Sequence, residues 1–509
     1  MKKILTLGID IGTGSTKAVL CDPAGTIVAS AVHSNKISLP RPGYAEMDAE
    51  EDWWGSVVDV CREIIDSPAY HDAISRQSLL GAVCVSGLGP ALVTTAGVDT
   101  RDKDSDVPLH KAILYGIDTR AEKQIADQNR ILGEEAILAR CGKSLSSQSL
   151  GPKIAWVREN IPGVTAESSW FSSHSYVVKR LTGQWVLDHH TASQCDPLYD
   201  VNVQDWAYEW VEKVLPGLRL PKLLWAGDVA GTVTDIASRE TGLPVGTPVL
   251  AGTIDAWAEA YSAGVSSPGD LMLMYGSTMF MVQVLAAPAV SEKLWTTSGV
   301  VPNSHTLAAG MATSGSVTTW IQRLCGGIEF ETLIEEASDV SAGSEGLLLL
   351  PYFAGERTPI YDPEARGLLM GLTLRHRRGH IFRAVYEGIA YGIRQIIEEL
   401  ERSAGRPARI LAVGGGTQAA LWTQIVSDVC AIEQIIPSVT VGASYGDALL
   451  AAQYLGAAGS DETWADEAVI VKPRSDISGV YDEMYQIYLD SYVANKHLMH
   501  RLAAIQGEL

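Results

Sequence analysis

A chain of 509 residues exceeds what one hydrophobic core usually organises, so two domains are expected. At 46% hydrophobic and 19% charged residues the composition is that of a folded globular protein, neither disordered nor embedded in a membrane. The formal charge of −21 argues against a nucleic-acid partner, whose phosphates it repels at long range, although a local basic patch can still hold a small anion.

Met1-Lys2-Lys3 followed by apolar residues has the outline of a secretory leader, but Asp10 and Asp22 interrupt it and a buried strand is expected there. No stretch reaches the roughly 18 apolar residues of a membrane span. Residues 5–20, LTLGIDIGTGSTKAVL, read as a β-hairpin with a glycine- and hydroxyl-rich tip, and residues 271–284, LMLMYGSTMFMVQV, repeat the pattern. Between them, 27–32 is a third strand, 49–65 a helix with an acidic first turn, and 80–86 a buried strand of the parallel-sheet kind. That strand ends at Ser86-Gly87-Leu88-Gly89-Pro90, where ligands commonly meet an α/β sheet. Residues 112–117 read as a further strand delivering Asp118 and Arg120, and 121–215 alternates helices and turns, with Trp156, Trp170, Trp185 and Trp206 as core bulk. The strand and turn at 248–253 lead to Asp255 and a helix over 256–263. Beyond the second hairpin, 307–315 leads into a helix ending near 324, 347–352 is a buried strand, and 380–403 is a long amphipathic helix. Residues 409–413 feed Gly414-Gly415-Gly416, a helix opens near 419, and 461–509 is mostly helical.

Two such tips in one chain suggest a phosphate clamp. Glycine lets the backbone approach an anion, and N–H groups with the hydroxyls of Thr13, Ser15, Thr16, Ser277 and Thr278 can cradle phosphate oxygens. Asp10, beside the first tip, would repel phosphate unless a cation lay between them, so it reads as a Mg²⁺ ligand. Asp255 either aims a carboxylate into a cleft as a general base or caps the following helix. Gly414 to Gly416 either lie under a nucleotide or form a flexible turn; Asp118 and Arg120 either grip sugar hydroxyls or pair in a surface turn. The run Arg375-His376-Arg377-Arg378 reads as a solvated face, and His189 and His190 as surface residues. The seven cysteines show no CxxC spacing, so neither zinc nor a disulfide framework is indicated, and a reducing cytoplasm is expected.

These residues resemble the FGGY family of carbohydrate kinases over about residues 4 to 456. The strongest match is Gly367-Leu368-Leu369-Met370-Gly371-Leu372, then seven residues, then His380-Ile381 and Ala384-Val385-Tyr386-Glu387. Lys153, Trp156 and Glu159-Asn160 fit the family's N-terminal signature, although Leu150 departs from it, and Gly43-Tyr44-Ala45-Glu46-Met47-Asp48 with Trp53-Trp54 is similar to an early family segment. The resemblance implies an α/β fold of two actin-like (ribonuclease H-like) domains, residues 1–246 for sugar and phosphate and residues 247–509 for nucleotide, with a helical tail. ATP, Mg²⁺ and a small sugar are the implied ligands, with no nucleic acid or membrane partner and a homodimer left open. By position, Asp255 resembles the family's general base and is counted with Asp10 as a Mg²⁺ ligand. Gly12, Thr13, Gly14 and Ser15 resemble its first phosphate site, Gly276, Ser277 and Thr278 its second, Gly315 an approach to the phosphates, and Gly414 to Gly416 its adenosine platform. Gly89, Pro90, Asp118, Arg120, Asp255 and Ala256 are the implied sugar contacts.

Within the family, residues 350–366 are similar to the xylulokinases. Xylulokinases usually carry Gln-Met-His where this chain has Leu88-Gly89-Pro90, and Asn where it has Ala256. D-xylulose is the expected substrate, with another ketose, a polyol or an aldonate as alternatives. A nucleotide-switched assembly protein and a non-catalytic sugar sensor are the readings from other classes.

Overall fold

The computed structural model describes residues 4–97, 106–438, 442–459, 462–465 and 467–507. The leader-like start at Met1 to Lys3 and the extreme C-terminus lie outside them. Two sheets carry the architecture. The first contains β1 (Ile4–Ile11), β2 (Ser15–Cys21), β3 (Ile27–Ser34), β4 (Leu79–Gly87), β5 (Val229–Thr232) and β6 (Pro248–Leu250), in the order β5-β6-β4-β1-β2-β3. The second contains β7 (Asp270–Tyr275), β8 (Met279–Leu285), β9 (Trp295–Ser298), β10 (His305–Met311), β11 (Arg409–Val413), β12 (Gln434–Pro437) and β13 (Glu467–Val471), in the order β9-β10-β8-β7-β11-β12-β13.

The two sheets repeat one plan. In each, a hairpin (β1–β2, β7–β8) is extended by an antiparallel third strand, and its first strand pairs in parallel with a later one, β4 or β11, which pairs in parallel with a fifth, β6 or β12. The apolar runs flanking each tip form strands because both faces of the central ones are covered: β1, β4 and β7 are buried almost throughout. Residue 246 falls one strand short of the end of the first sheet, because β6 is hydrogen-bonded to both β4 and β5.

Five helices matter for the site: α1 (Ser173–Thr182), α2 (Asp255–Ser262), α3 (Gly315–Leu324), α4 (Arg378–Ala404) and α5 (Ala443–Tyr454). Helices α2 and α5 pack on each other between the sheets, in a core that joins Val19 and Cys84 of the first sheet to Met272 and Leu411 of the second. Small residues allow this wedge. A Cβ on Gly8 would fall 1.9 Å from the Ser444 carbonyl oxygen, and one on Gly446 would fall 2.1 Å from that of Ala258. Helix α4 is buried along most of its length in the core of the second domain, and no helix among the described residues is long and apolar enough to cross a membrane.

Candidate active site

The first hairpin tip is a closed turn. Gly12 N donates to Ser15 O at 3.0 Å, and Asn35 ties the tip down through Nδ2 to Gly12 O at 2.7 Å and its own N to Gly14 O at 3.0 Å. The Gly12–Ser15 approach leaves no room for a side chain, since a Cβ on Gly12 would lie 2.8 Å from Ser15 O. Asp10, paired across the hairpin with Lys17, points into the cleft.

The second tip is clamped onto the start of α3. Gly315 N donates to Gly276 O at 3.0 Å, and Ser314 N and Ser316 N both donate to Ser277 O, at 2.9 and 3.1 Å. Gly315, which spacing alone does not single out, is required here: a Cβ would come within 2.7 Å of Gly276 O. Gly414 follows β11 beside the same hairpin, with φ +91° and its Cβ position 2.6 Å from Tyr275 O. Gly416 packs on the Trp422 ring, whereas Gly415 has open space where a side chain would be. The structure thus gathers Gly276–Thr278, Gly315 and the triple glycine at one end of the second sheet.

Between the domains lies a cavity of about 300 Å³. Asp10, Gly89, Pro90, Asp255, Ala256 and Thr278 line it. The helix-cap alternative for Asp255 is settled by geometry: Ile254 occupies the cap position, and Asp255 is the first residue of α2, accepting only Ala256 N at 2.7 Å among the described hydrogen bonds. Burial pushes its pKa up to about 6, with the Ala256 N–H and His174 of α1 pulling the other way. Glu259, one turn along α2 on the same face, is pushed to about 7 by burial and by Asp255. Asp447 of α5 lies behind them at about 8, raised by burial although Ser86 N donates to it at 3.0 Å. Asp10 is held well above the usual carboxylate range by burial and by Asp255, Asp447 and Glu259.

Such a cluster of acids suits a cation. Asp10 Oδ1 is buried with no hydrogen-bond partner among the described residues. No set of three or more His, Cys, Asp or Glu side chains among them is arranged to hold a metal alone. Both facts fit Mg²⁺, which keeps waters and substrate phosphates and takes only one or two carboxylates.

Asp118 and Arg120 lie away from the cavity wall. They pair with each other, at 2.6 Å between Oδ2 and Nη2, but in the interior rather than in a surface turn, and neither lines the cavity. Asp118 Oδ2 also accepts Ala45 N, while Arg120 reaches Glu46 and lies over the Tyr44 and Trp156 rings. The motif residues Tyr44 to Glu46 and Trp156 therefore build a cage for Arg120. The 112–117 strand is shorter than expected, only Ala112–Ile113, and the following turn presents Tyr115 to the cavity. Lys153 holds that turn through the Leu114 and Tyr115 carbonyls, and Gln148 Oε1 accepts Gly116 N at 2.9 Å.

His190 is likewise not at the surface. It is buried, its Nδ1 2.8 Å from Ser298 O and its ring 4.0 Å from that of Trp257, while His189 stacks on Trp225. Arg375, Arg377 and Arg378 are exposed. Much of the polar wall escapes sequence reasoning: Lys143, Gln148, Gln194 and Asp196 come from turns far apart in the chain. Glu259 carried a readable signal, four residues after Asp255 on a helix.

Two sheets of one topology, each with a glycine-hydroxyl tip at a shared cleft and with a half-buried carboxylate between them, define a two-domain actin-like phosphotransferase. The chain belongs to the FGGY family of carbohydrate kinases, whose N-terminal domain matches residues 5–261 and whose C-terminal domain matches residues 271–454. It is accordingly an ATP-dependent carbohydrate kinase. It is similar to the xylulose kinase of Staphylococcus epidermidis, 27% identical over 516 residues that cover 99% of this chain and 100% of the relative. The gluconokinase of Bacillus subtilis is 26% identical over 466 residues, covering 88% of this chain and 86% of that protein. The crystal structure of xylulose kinase from Rhodospirillum rubrum matches with a TM-score of 0.86 at 29% identity, over 97% of this chain and all 100% of that one.

Proposed function

We propose that this kinase transfers the γ-phosphoryl group of ATP to D-xylulose, forming D-xylulose 5-phosphate and ADP, with Asp255 as general base. The observation that carries the reading is the half-buried Asp255 carboxylate, which lines the cavity between the two glycine-hydroxyl tips. As the sugar hydroxyl attacks phosphorus, its proton passes to Asp255 and the bond to ADP breaks. A pKa near 6 leaves that carboxylate mostly ionised at neutral pH yet basic enough to accept a proton. Asp10, with Asp255 beside it, would hold Mg²⁺, which when bound screens phosphate charge. The tips at Gly12 to Ser15 and Gly276 to Thr278 orient the phosphates, and Gly414 to Gly416 lie under adenosine.

D-xylulose is favoured by the xylulose kinases of similar sequence that span the whole chain. A different ketose, a polyol or an aldonate is the second reading, because Gly89, Pro90 and Ala256 offer the sugar no side-chain hydrogen bond, and paired polar groups are what enforce strict selection. A cytoplasmic location goes with the proposal, all seven cysteines being unpaired thiols. ADP release measured across pentuloses, hexuloses, polyols and aldonates tests the assignment. D-xylulose is expected to give the highest kcat/KM, and a substrate of another class ahead of it by about tenfold would overturn the choice of sugar.

A further inference from the structure

Two basic side chains line the cavity, Lys143 and Arg357. Lys143 is committed: it pairs with Asp196 at 3.2 Å and donates to Ser193 O at 2.9 Å and Thr296 O at 3.1 Å. The Arg357 guanidinium makes no hydrogen bond or ion pair with any described residue.

Its backbone is nevertheless firmly held. Thr358 Oγ1 accepts Gly310 N at 2.7 Å and donates to Gly310 O at 2.8 Å, and Glu356 Oε1 accepts both Ala312 N and Arg357 N at 2.7 Å. Gly310 and Ala312 flank the end of β10, which pairs with β8 directly behind the second hairpin tip, Met311 opposite Met279. Arg357 is thus fixed to the strand pair that presents one phosphate site. Tyr115 lines the same cavity; burial pushes its hydroxyl pKa up, with Asp255 adding to the rise and Arg357 opposing it. The Glu356 carboxylate is engaged by the Ala312 and Arg357 backbone N–H groups rather than by the guanidinium, and burial pushes its acid up to about 7 while those N–H groups and the Arg357 charge pull the other way.

We propose that Arg357 is a catalytic residue that binds the oxygens of the phosphoryl group as it passes from the nucleotide to the sugar hydroxyl. Apart from Lys143, whose ammonium is committed to Asp196 and two carbonyls, the charged groups that share the cavity wall with Arg357 are carboxylates, Asp10, Asp196, Asp255 and Glu259, with Asp447 behind them. A phosphoryl group leaving the second tip for the hydroxyl beside Asp255 enters that negative field. A guanidinium carried on a firmly held backbone, with all its donors unspent, supplies the compensating charge where it develops, in a fork that fits phosphoryl oxygens. The proposal rests on the kinase reading of the site, not on which sugar is used.

The test is binding of the sugar preferred in the ADP-release panel together with ADP, Mg²⁺ and fluoroaluminate, followed by the fluorescence of Trp257 and Trp295, which line the cavity. Arg357→Gln is expected to weaken this transition-state mimic, and to lower kcat, by about 10²- to 10³-fold, while sugar alone and Mg-ADP alone bind within about twofold of the parent. Arg357→Lys should fall between. Undiminished binding of the mimic by Arg357→Gln would overturn the proposal. So would an equal loss of affinity for the sugar alone, which would make Arg357 a sugar contact, as for a substrate carboxylate. A parent that forms the complex with no sugar tested would overturn the kinase reading itself. A thermal melt of each variant confirms the fold, which the side chain does not brace.

Discussion

The three glycines of the proposed nucleotide platform, Gly414 to Gly416, differ in what a side chain would meet. Gly415 has nothing within 4 Å of its Cβ position, whereas Gly414 combines φ +91° with a Cβ position 2.6 Å from Tyr275 O. Gly415→Val is therefore expected to leave the melting temperature and sugar affinity unchanged and to raise the KM for ATP, by filling space that belongs to the nucleotide. Gly414→Val should instead destabilise the domain, by about 1–3 kcal/mol or more from backbone strain and overpacking. Thermal melts and calorimetric ATP titrations separate the two. The sequence shows a run of three glycines and gives no sign of which one faces open space. The same holds for Asp118, legible as a carboxylate near a strand end but not as half of a buried pair. Asp118→Ala should cost roughly 3–5 kcal/mol by stranding Arg120, read as a lower denaturant midpoint, with sugar affinity of the folded protein little changed.

Among the elements, both hairpins and the helix after Asp255 are plain in the sequence, because an apolar run, a glycine-hydroxyl tip and a second apolar run leave few alternatives. The strand at 112–117 is not: only Ala112–Ile113 pair, with Glu46–Met47, and the carbonyls of Leu114 and Tyr115 are taken by Lys153 instead of a neighbouring strand, a difference that an apolar run does not reveal in one dimension. The wedge of α2 and α5 is also silent, since Gly8 and Gly446 matter only for the partner 1.9 and 2.1 Å from their missing Cβ atoms. Gly446→Ala is expected to push α5 from α2 and cost about 1–3 kcal/mol, or more where the backbone cannot shift. Because α2 carries Asp255 and Glu259 into the cavity, kcat should fall along with the melting temperature. A variant with normal stability and normal kcat would mean the wedge tolerates separation.

For the whole molecule, the sequence implies two domains and a cleft but not where they touch. Besides the wedge, Lys143 and His190 of the first domain bond to Thr296 O and Ser298 O on β9, the edge strand of the second. These contacts join the domains on the proposed sugar side of the cavity, so closure is expected to narrow the opposite side and bring the two tips together. Small-angle scattering should show a smaller radius of gyration with the sugar and a non-hydrolysable ATP analogue together than with neither. An unchanged radius would mean the cleft is already closed.

The central claim is that the carboxylate of Asp255 takes the proton of the acceptor hydroxyl as phosphate is transferred. Rapid-quench measurement of sugar phosphate formed in a single turnover by the parent and by Asp255→Asn addresses it most directly, because the exchange removes a proton acceptor with almost no change in volume. The account predicts a fall of about 10²- to 10⁴-fold, roughly 3–5 kcal/mol of barrier, with sugar and Mg-ATP still bound and the fold intact. A single-turnover rate within a few-fold of the parent would contradict it.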